Sequence, residues 1–314
     1  MARPVPPAAD LRHFVSVRDL GRARIERLLE SAARYEAGIA AGTTWTSAQG
    51  RVLVSAFFEP STRTRLSFET AIARLGGAAV GFGSPEGTSV AKGETLADTV
   101  RVLSGFGDVV ALRHPRDGAA RLAARFSRVP LVNAGDGALE HPTQALVDLF
   151  TLKKACGRLD DLSVALAGDL RHARTVRSLA LALAGFGATL VQATAPELAL
   201  PQALVDDVAA AGGTVVGPMA PEEAVPKVDA LYVTRVQAER FPSAEAAARA
   251  PRPRIDRKLL SAARPGLAVL HPLPRLSELP AEVDALPSAR YFDQARAGVP
   301  VRMAVLAHVL GLED

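Results

Sequence analysis

Phe57-Phe58-Glu59-Pro60-Ser61-Thr62-Arg63-Thr64-Arg65 is the stretch whose reading decides the fold. Before it, Val52-Leu53-Val54-Ser55-Ala56 is an apolar, β-branched run of the kind a buried strand shows. After it, Leu66 to Leu75 has a helical pattern stopped by Gly76-Gly77. The stretch is therefore a strand-to-helix turn, with Ser61 placed to cap the helix. A helix start offers unpaired N–H groups and the positive end of the macrodipole, both suited to a phosphate. Ser61, Thr62 and Thr64 add hydroxyls, and Arg63 and Arg65 add guanidinium forks that match phosphate geometry. On its own, the stretch fits an anion site and an ordinary capped helix with exposed arginines equally well.

The rest of the chain narrows that choice. With 314 residues, two domains are expected. A hydrophobic content of 48% with few aromatics suits an α/β protein. The formal net charge is only +4 and no Lys/Arg block stands out, so a small anionic substrate fits better than a nucleic acid. The single cysteine, Cys156, excludes an intramolecular disulfide and reads as a small residue at a helix end rather than a nucleophile. No apolar run reaches the length of a membrane span, and no signal core opens the chain. A soluble cytoplasmic protein is expected.

Outward from the opening stretch, strands and helices alternate. Residues 1–9 are Pro- and Ala-rich and read as loose, and a helix runs from Asp19 to about Ala37. Strands are expected at 51–58, 78–82, 108–113 and 129–133, with helices at 63–75, 94–104, 117–126 and from His141 to about Ala155. Gly157-Arg158-Leu159-Asp160-Asp161 reads as a break. Strands at 162–167, 188–194, 214–216, 228–234 and 267–270 follow, with helices at 174–184, 201–211, 255–262 and a last one at about 299–311. This alternation means parallel sheets of right-handed βαβ units, in an α/β protein of two similar-sized domains. Ligands of such sheets bind beyond the carboxyl ends of the strands. The polar clusters fall there: Ser61–Arg65, Ser84–Lys92, Arg113-His114, Asn133 to Gln144, Gly168–Arg174, Thr234–Gln237 and His271–Arg275.

Each cluster also has a plain reading. Lys92 stands on a loop before a helix, Arg113 at a strand end, and His141 at a helix start, where it also serves as a cap. Gln144 follows one turn later on the same face as His141. Thr234-Arg235-Val236-Gln237 alternates in extended fashion, so Arg235 and Gln237 point to one side, where a guanidinium and an amide together suit a carboxylate. There is no GxxxxGK[ST] loop, no dinucleotide fingerprint, no G-x-S-x-G and no H-E-x-x-H, and the histidines lack ligand spacing. No catalytic metal and no cofactor are expected.

Taken together, Phe57–Arg65, Lys92 to Thr99, His141-Pro142-Thr143-Gln144 through Thr151, Thr234-Arg235-Val236-Gln237 and His271-Pro272-Leu273-Pro274-Arg275 resemble the catalytic chains of aspartate carbamoyltransferases, within the aspartate/ornithine carbamoyltransferase family. The resemblance runs from about Asp10 to Gly311 in motif order. It implies transfer of a carbamoyl group from carbamoyl phosphate to the amine of L-aspartate, an early pyrimidine-synthesis step. It also implies a carbamoyl-phosphate domain over residues 1–146, joined by a returning C-terminal helix at 295–314, and an aspartate domain over 147–294. The implied assembly is a homotrimer with shared active sites, to which a regulatory chain or a dihydroorotase partner can be added.

By the same resemblance, Ser61, Thr62, Arg63, Thr64 and Arg113 hold the phosphate, and Ser89 and Lys92 reach into a neighbour's site. Arg113, His141 and Thr64 correspond to groups on the carbonyl oxygen, and Gln144 to one on the carbamoyl amine. Arg174 matches the group on the aspartate α-carboxylate. Arg235 and Gln237 match those on the side-chain carboxylate, with a backbone contact from Leu273, and Lys92 also serves the aspartate. Attack by a neutral amine develops negative charge on the carbonyl oxygen and then on the leaving phosphate, which fixed donors stabilise. The leaving phosphate is itself the expected acceptor of the amine proton.

Two rivals are weighed. Ornithine carbamoyltransferases share the Ser-Thr-Arg-Thr-Arg turn but carry a cysteine where Pro272 stands, and Arg235 would repel an ornithine ammonium. A catalytically silent assembly subunit would have lost an anion-site arginine or His141, and none is lost. Departures from the pattern, Val90-Ala91-Lys92 without a second lysine and Ala238 in place of a lysine, bear on loop closure and cooperativity.

Overall fold

Runs of three to six mostly apolar residues become parallel strands whose carboxyl ends open into loops. In a computed structural model of the chain, residues 13–86 and 88–312 are described. The Pro- and Ala-rich residues 1–9 lie outside them, as does Gly87 of the Ser84–Lys92 loop. The chain divides into two compact units, residues 1–146 with 297–314, and residues 147–296.

The first unit contains α1 (Arg22–Ala40), β1 (Val52–Phe57), α2 (Thr62–Arg74), β2 (Ala78–Phe82), α3 (Leu96–Leu103), β3 (Val109–His114), α4 (Ala119–Ala124) and β4 (Leu131–Asp136). Helix α5 (Pro142–Cys156) carries the chain into the second unit. The four strands run parallel in the order β2-β1-β3-β4. The chain leaves β1 on one side to form β2 and returns on the other to form β3. The order therefore reverses between β1 and β3, the place where open sheets hold ligands. Val54, Ala56, Val110, Leu112 and Leu131 make the core on this sheet, with Phe58 packed among them. Phe14 lies alongside β4: its N–H donates to the Leu131 carbonyl at 2.8 Å, and its carbonyl accepts from the Asn133 N–H at 2.8 Å.

The second unit contains β5 (Ser163–Ala167), α6 (Arg174–Ala184), β6 (Thr189–Ala193), α7 (Gln202–Ala210), β7 (Thr214–Val216), α8 (Pro221–Ala224), β8 (Ala230–Val233), α9 (Ala244–Arg249), α10 (Arg257–Leu260) and β9 (Ala268–Leu270). Helix α11 (Tyr291–Leu310) begins here, and from Ala297 onward it belongs to the first unit. The strands are again parallel, in the order β7-β6-β5-β8-β9, so this sheet reverses between β5 and β8. Gly168 ends β5 at that point with φ +104°, where a Cβ would come within 1.9 Å of the Thr234 carbonyl. Only glycine allows so close an approach. Ala165, Val191, Leu231, Val233 and Val269 fill the core, closed by the buried ring of Tyr291.

Several expected bounds move. The helix expected from 94 starts at Leu96, because Thr95 caps it by accepting the Asp98 N–H at 3.2 Å. The strand expected at 129–133 becomes Leu131–Asp136, since its ladder with β3 continues to His114 opposite Asp136. The last helix begins at Tyr291 rather than near 299, which puts Pro300 inside it. A start near 299 would have set Pro300 in the first turn, where its missing N–H costs nothing. The helix expected at 255–262 shrinks to the single turn α10, and α9 was not anticipated. No helix among the described residues is long and apolar enough to cross a membrane.

Candidate active site

At the first reversal, Ser61 is the N-cap residue of α2 with extended backbone, φ −160° and ψ 101°. The expectation that its side chain caps the helix is not met: Ser61 makes no side-chain cap hydrogen bond. The cap position is thus filled while the first-turn N–H groups of Thr62, Arg63 and Thr64 lack intrahelical acceptors, which leaves hydroxyl and amides for a ligand. Thr64 is buried, and Thr62 and Arg63 are exposed. Desolvation of the Arg63 guanidinium lowers its pKa from the usual arginine value. Arg65 is engaged elsewhere, with its Nε donating to Glu69 at 2.7 Å.

Arg113, at the end of β3, is tied directly to the opening stretch. Its main-chain carbonyl accepts the Phe58 N–H at 2.8 Å, and its Nη2 donates to Glu59 Oε1 at 2.9 Å. Its Nη1 donates to the Ala134 carbonyl, within β4, at 3.4 Å. Arg113 is buried, 8% exposed, and its guanidinium is held by these contacts. His141, buried, precedes α5, and its carbonyl accepts the Gln144 N–H at 3.0 Å. His141 and Gln144, three residues apart, share one side of the helix start. Strand ends and helix starts therefore bring Ser61–Thr64, Arg113, His141 and Gln144 to the carboxyl side of one sheet.

The segment that delivers His141 is braced by acids the sequence reading passed over. Glu140 accepts from Ser16 Oγ at 2.6 Å and from the Val17 N–H at 3.0 Å, clasping the chain before α1. Asp136 accepts from Asn133 Nδ2 at 3.2 Å and from the Ala120 N–H at 3.4 Å. Burial raises the pKa of both carboxyls above the usual range, against the hydrogen bonds that lower it. A carboxyl raised on folding holds its proton more tightly in the folded state. Its contribution is most favourable below the unfolded pKa, about 4.3 for Glu, and is lost as pH rises through the folded value. Glu140→Gln removes that titration. The melting temperature of the protein minus that of the variant should therefore fall as pH is raised from about 4 through the folded pKa, then level off. Thermal unfolding across pH measures it, and a difference that grows over that range contradicts it.

Ser89 and Lys92 stand apart. They lie on a 3-10 turn, Ser89–Lys92, closed by Gly93 in the left-handed region. Both are exposed, and no hydrogen bond or ion pair among the described residues ties their side chains to the groups above.

At the second reversal, Asp169 follows Gly168 and is fully buried. Its Oδ1 accepts the His172 N–H at 3.1 Å, and its Oδ2 accepts the Gln237 N–H at 3.1 Å. One carboxylate thus binds the loop after β5 to the loop after β8. Arg174 opens α6 and is buried. Arg235 donates through both terminal nitrogens to Glu239, one of them at 3.0 Å, and to the Val236 carbonyl at 3.2 Å. The pair raises the Arg235 pKa, chiefly through the Glu239 hydrogen bond, with Glu278 and Asp169 adding to it. Leu273, after β9, has φ +51°, and its N–H donates to His271 Nδ1 at 2.8 Å.

Cys156 is half-buried with its thiol pKa raised by burial first, then by Asp229, the opposite of an activated nucleophile. The acids Glu59, Asp169 and Glu239 escaped the sequence reading, though each lies within a few residues of a singled-out arginine or amide.

Comparison with known proteins places both halves. Residues 12–154 match the family described as aspartate/ornithine carbamoyltransferase, carbamoyl-P binding domain. Residues 160–309 match aspartate/ornithine carbamoyltransferase, Asp/Orn binding domain. The chain is 48% identical over 301 residues to an aspartate carbamoyltransferase catalytic subunit of Methanocorpusculum labreanum, covering 95% of this chain and 98% of that one. The corresponding subunit of Archaeoglobus fulgidus is 46% identical, over 96% and 99%. Among solved structures, aspartate transcarbamoylase from Trypanosoma cruzi in complex with carbamoyl phosphate and aspartate superposes with a TM-score of 0.89 at 40% identity, over 96% of this chain and 98% of that one. The catalytic subunit of M. Jannaschii aspartate transcarbamoylase gives 0.88 at 40% identity, over 96% and 98%.

Proposed function

The chain belongs to the aspartate/ornithine carbamoyltransferase family, and from that premise we propose how its residues do the family's work. The protein transfers the carbamoyl group of carbamoyl phosphate to the amine of L-aspartate, giving N-carbamoyl-L-aspartate and phosphate in pyrimidine biosynthesis. The observation that carries the assignment of roles is the pair of sheet reversals, each ringed by cations and donors suited to an anion.

In this reading the first unit takes carbamoyl phosphate. The α2 start, through Ser61, Thr62, Arg63 and Thr64, binds the phosphate dianion, and Arg113 joins it. Arg113, Thr64 and His141 aim donors at the carbonyl oxygen, where negative charge grows as the amine attacks, and Gln144 holds the carbamoyl NH2. Such fixed donors contribute about 3–4 kcal/mol of barrier each. As the tetrahedral carbon collapses, the C–O bond to phosphate breaks, and the departing phosphate takes the amine proton. No covalent intermediate with the enzyme is needed.

The second unit takes aspartate. Arg174 pairs with the α-carboxylate, Arg235 and Gln237 with the side-chain carboxylate, and Leu273 offers its main chain. A cation at Arg235 favours a carboxylate and opposes the ammonium of ornithine. The exposed turn bearing Ser89 and Lys92 completes the site of a neighbouring chain in a cytoplasmic homotrimer. Sedimentation of the purified protein checks that last element, since a stable monomer with full activity would overturn it.

The functional reading is tested by offering carbamoyl phosphate with aspartate or ornithine to the purified chain and identifying the product. Carbamoyl-aspartate alone is expected. Citrulline would mean that the second unit has been misread while the phosphate site stands.

A further inference from the structure

His271 has no role assigned above, yet with Glu278 it forms a buried polar pair in the segment that carries Leu273. His271 is 2% exposed and Glu278 6%. His271 Nε2 lies 3.0 Å from Glu278 Oε1, and His271 Nδ1 lies 2.8 Å from the Leu273 main-chain nitrogen. A peptide N–H can only donate, so Nδ1 is the bare acceptor and the ring proton sits on Nε2, facing Glu278. Glu278 Oε1 also accepts the Leu276 N–H at 2.8 Å, which anchors the carboxylate to the same loop. The His271 main-chain N–H donates to Gln294 Oε1 at 2.9 Å, and Gln294 Nε2 donates to Asp148 at 2.6 Å. Burial alone would raise the Glu278 pKa, but the hydrogen bonds from His271 and Leu276 outweigh it and hold the carboxyl below its usual value.

The group so held is the Leu273 main chain, at φ +51°. A side chain larger than glycine's disfavours that left-handed conformation, so a partner must fix it. We propose that His271 is a positioning residue for aspartate: Glu278 sets its tautomer, and its Nδ1 pins the Leu273 N–H so that the Leu273 main chain faces the substrate. This rests on the reading of Leu273 as an aspartate contact. The ring touches no reacting atom in this account; it acts through Leu273.

The test compares two substitutions that keep different halves of the imidazole. In His271→Asn the side-chain oxygen can accept the N–H two residues on, as in an Asx turn, and so replaces Nδ1. In His271→Gln the amide can still donate to Glu278 but leaves the Leu273 N–H without its acceptor. His271→Gln is expected to raise the KM for aspartate about 10–100-fold, as a stranded donor does, with the Kd for carbamoyl phosphate unchanged. His271→Asn should restore the KM to within about 3-fold of the parent. Equal losses in both variants, or an unchanged KM in His271→Gln, overturn the proposal. Should neither variant fold, 15N NMR of the unmodified protein decides: an unprotonated Nδ1 on His271 supports the proposal, and a protonated one refutes it. A parent protein that makes no carbamoyl-aspartate overturns the functional reading, and this proposal with it.

Discussion

Replacing Arg63 with alanine should lower kcat/KM for carbamoyl phosphate by about 10²–10³-fold while leaving the fold intact, the loss expected of one charge-assisted donor to a developing anion. Arg63 sits in the first turn of α2, exposed and without a role in the core, so the melting temperature should move little. The α2 start still offers its amides and the Thr64 hydroxyl, so binding weakens rather than vanishes. Arg63→Lys should recover only part of the loss, because an ammonium keeps the charge but not the two-pronged geometry. Steady-state kinetics with a thermal melt of each variant decide it. Parent-like kinetics would return the stretch to a capped helix with idle arginines.

The second large effect is expected at Arg235. Its guanidinium is now held by Glu239 and the Val236 carbonyl, with Glu278 and Asp169 close enough to stabilise its charge. An incoming side-chain carboxylate meets a cation already oriented rather than one that must be immobilised on binding. Arg235→Ala removes the cation and leaves Glu239 facing a dicarboxylate. The KM for aspartate should rise about 10²–10³-fold, with little loss of stability because Glu239 is exposed. A rise of under about 3-fold in KM would take Arg235 out of the aspartate site.

Much of this site was legible from sequence because parallel strands advertise themselves. Val52–Ala56 and Asp108–Leu112 read as buried runs, and the residues that follow them are where chemistry collects. The reversals of strand order supply what the sequence could not: they single out β1 with β3, and β5 with β8, among the nine strands of the described residues. The acidic partners were not legible. Asp169 looks like any turn aspartate until its oxygens are seen to hold both His172 and Gln237. Glu140 looks like a surface residue until Ser16 and Val17, more than a hundred positions earlier, fold against it. The left-handed Leu273 was not legible either, because nothing in a leucine side chain signals a positive φ; its N–H is paired with the His271 ring two residues before it.

The central claim is a division of labour in which one unit holds carbamoyl phosphate and the other holds aspartate. Calorimetric titration of carbamoyl phosphate into the parent protein, Arg63→Ala and Arg235→Ala tests it most directly. Arg235→Ala should bind carbamoyl phosphate as the parent does, and Arg63→Ala should bind it far more weakly. Normal binding by Arg63→Ala, or lost binding by Arg235→Ala in a folded protein, would contradict the account.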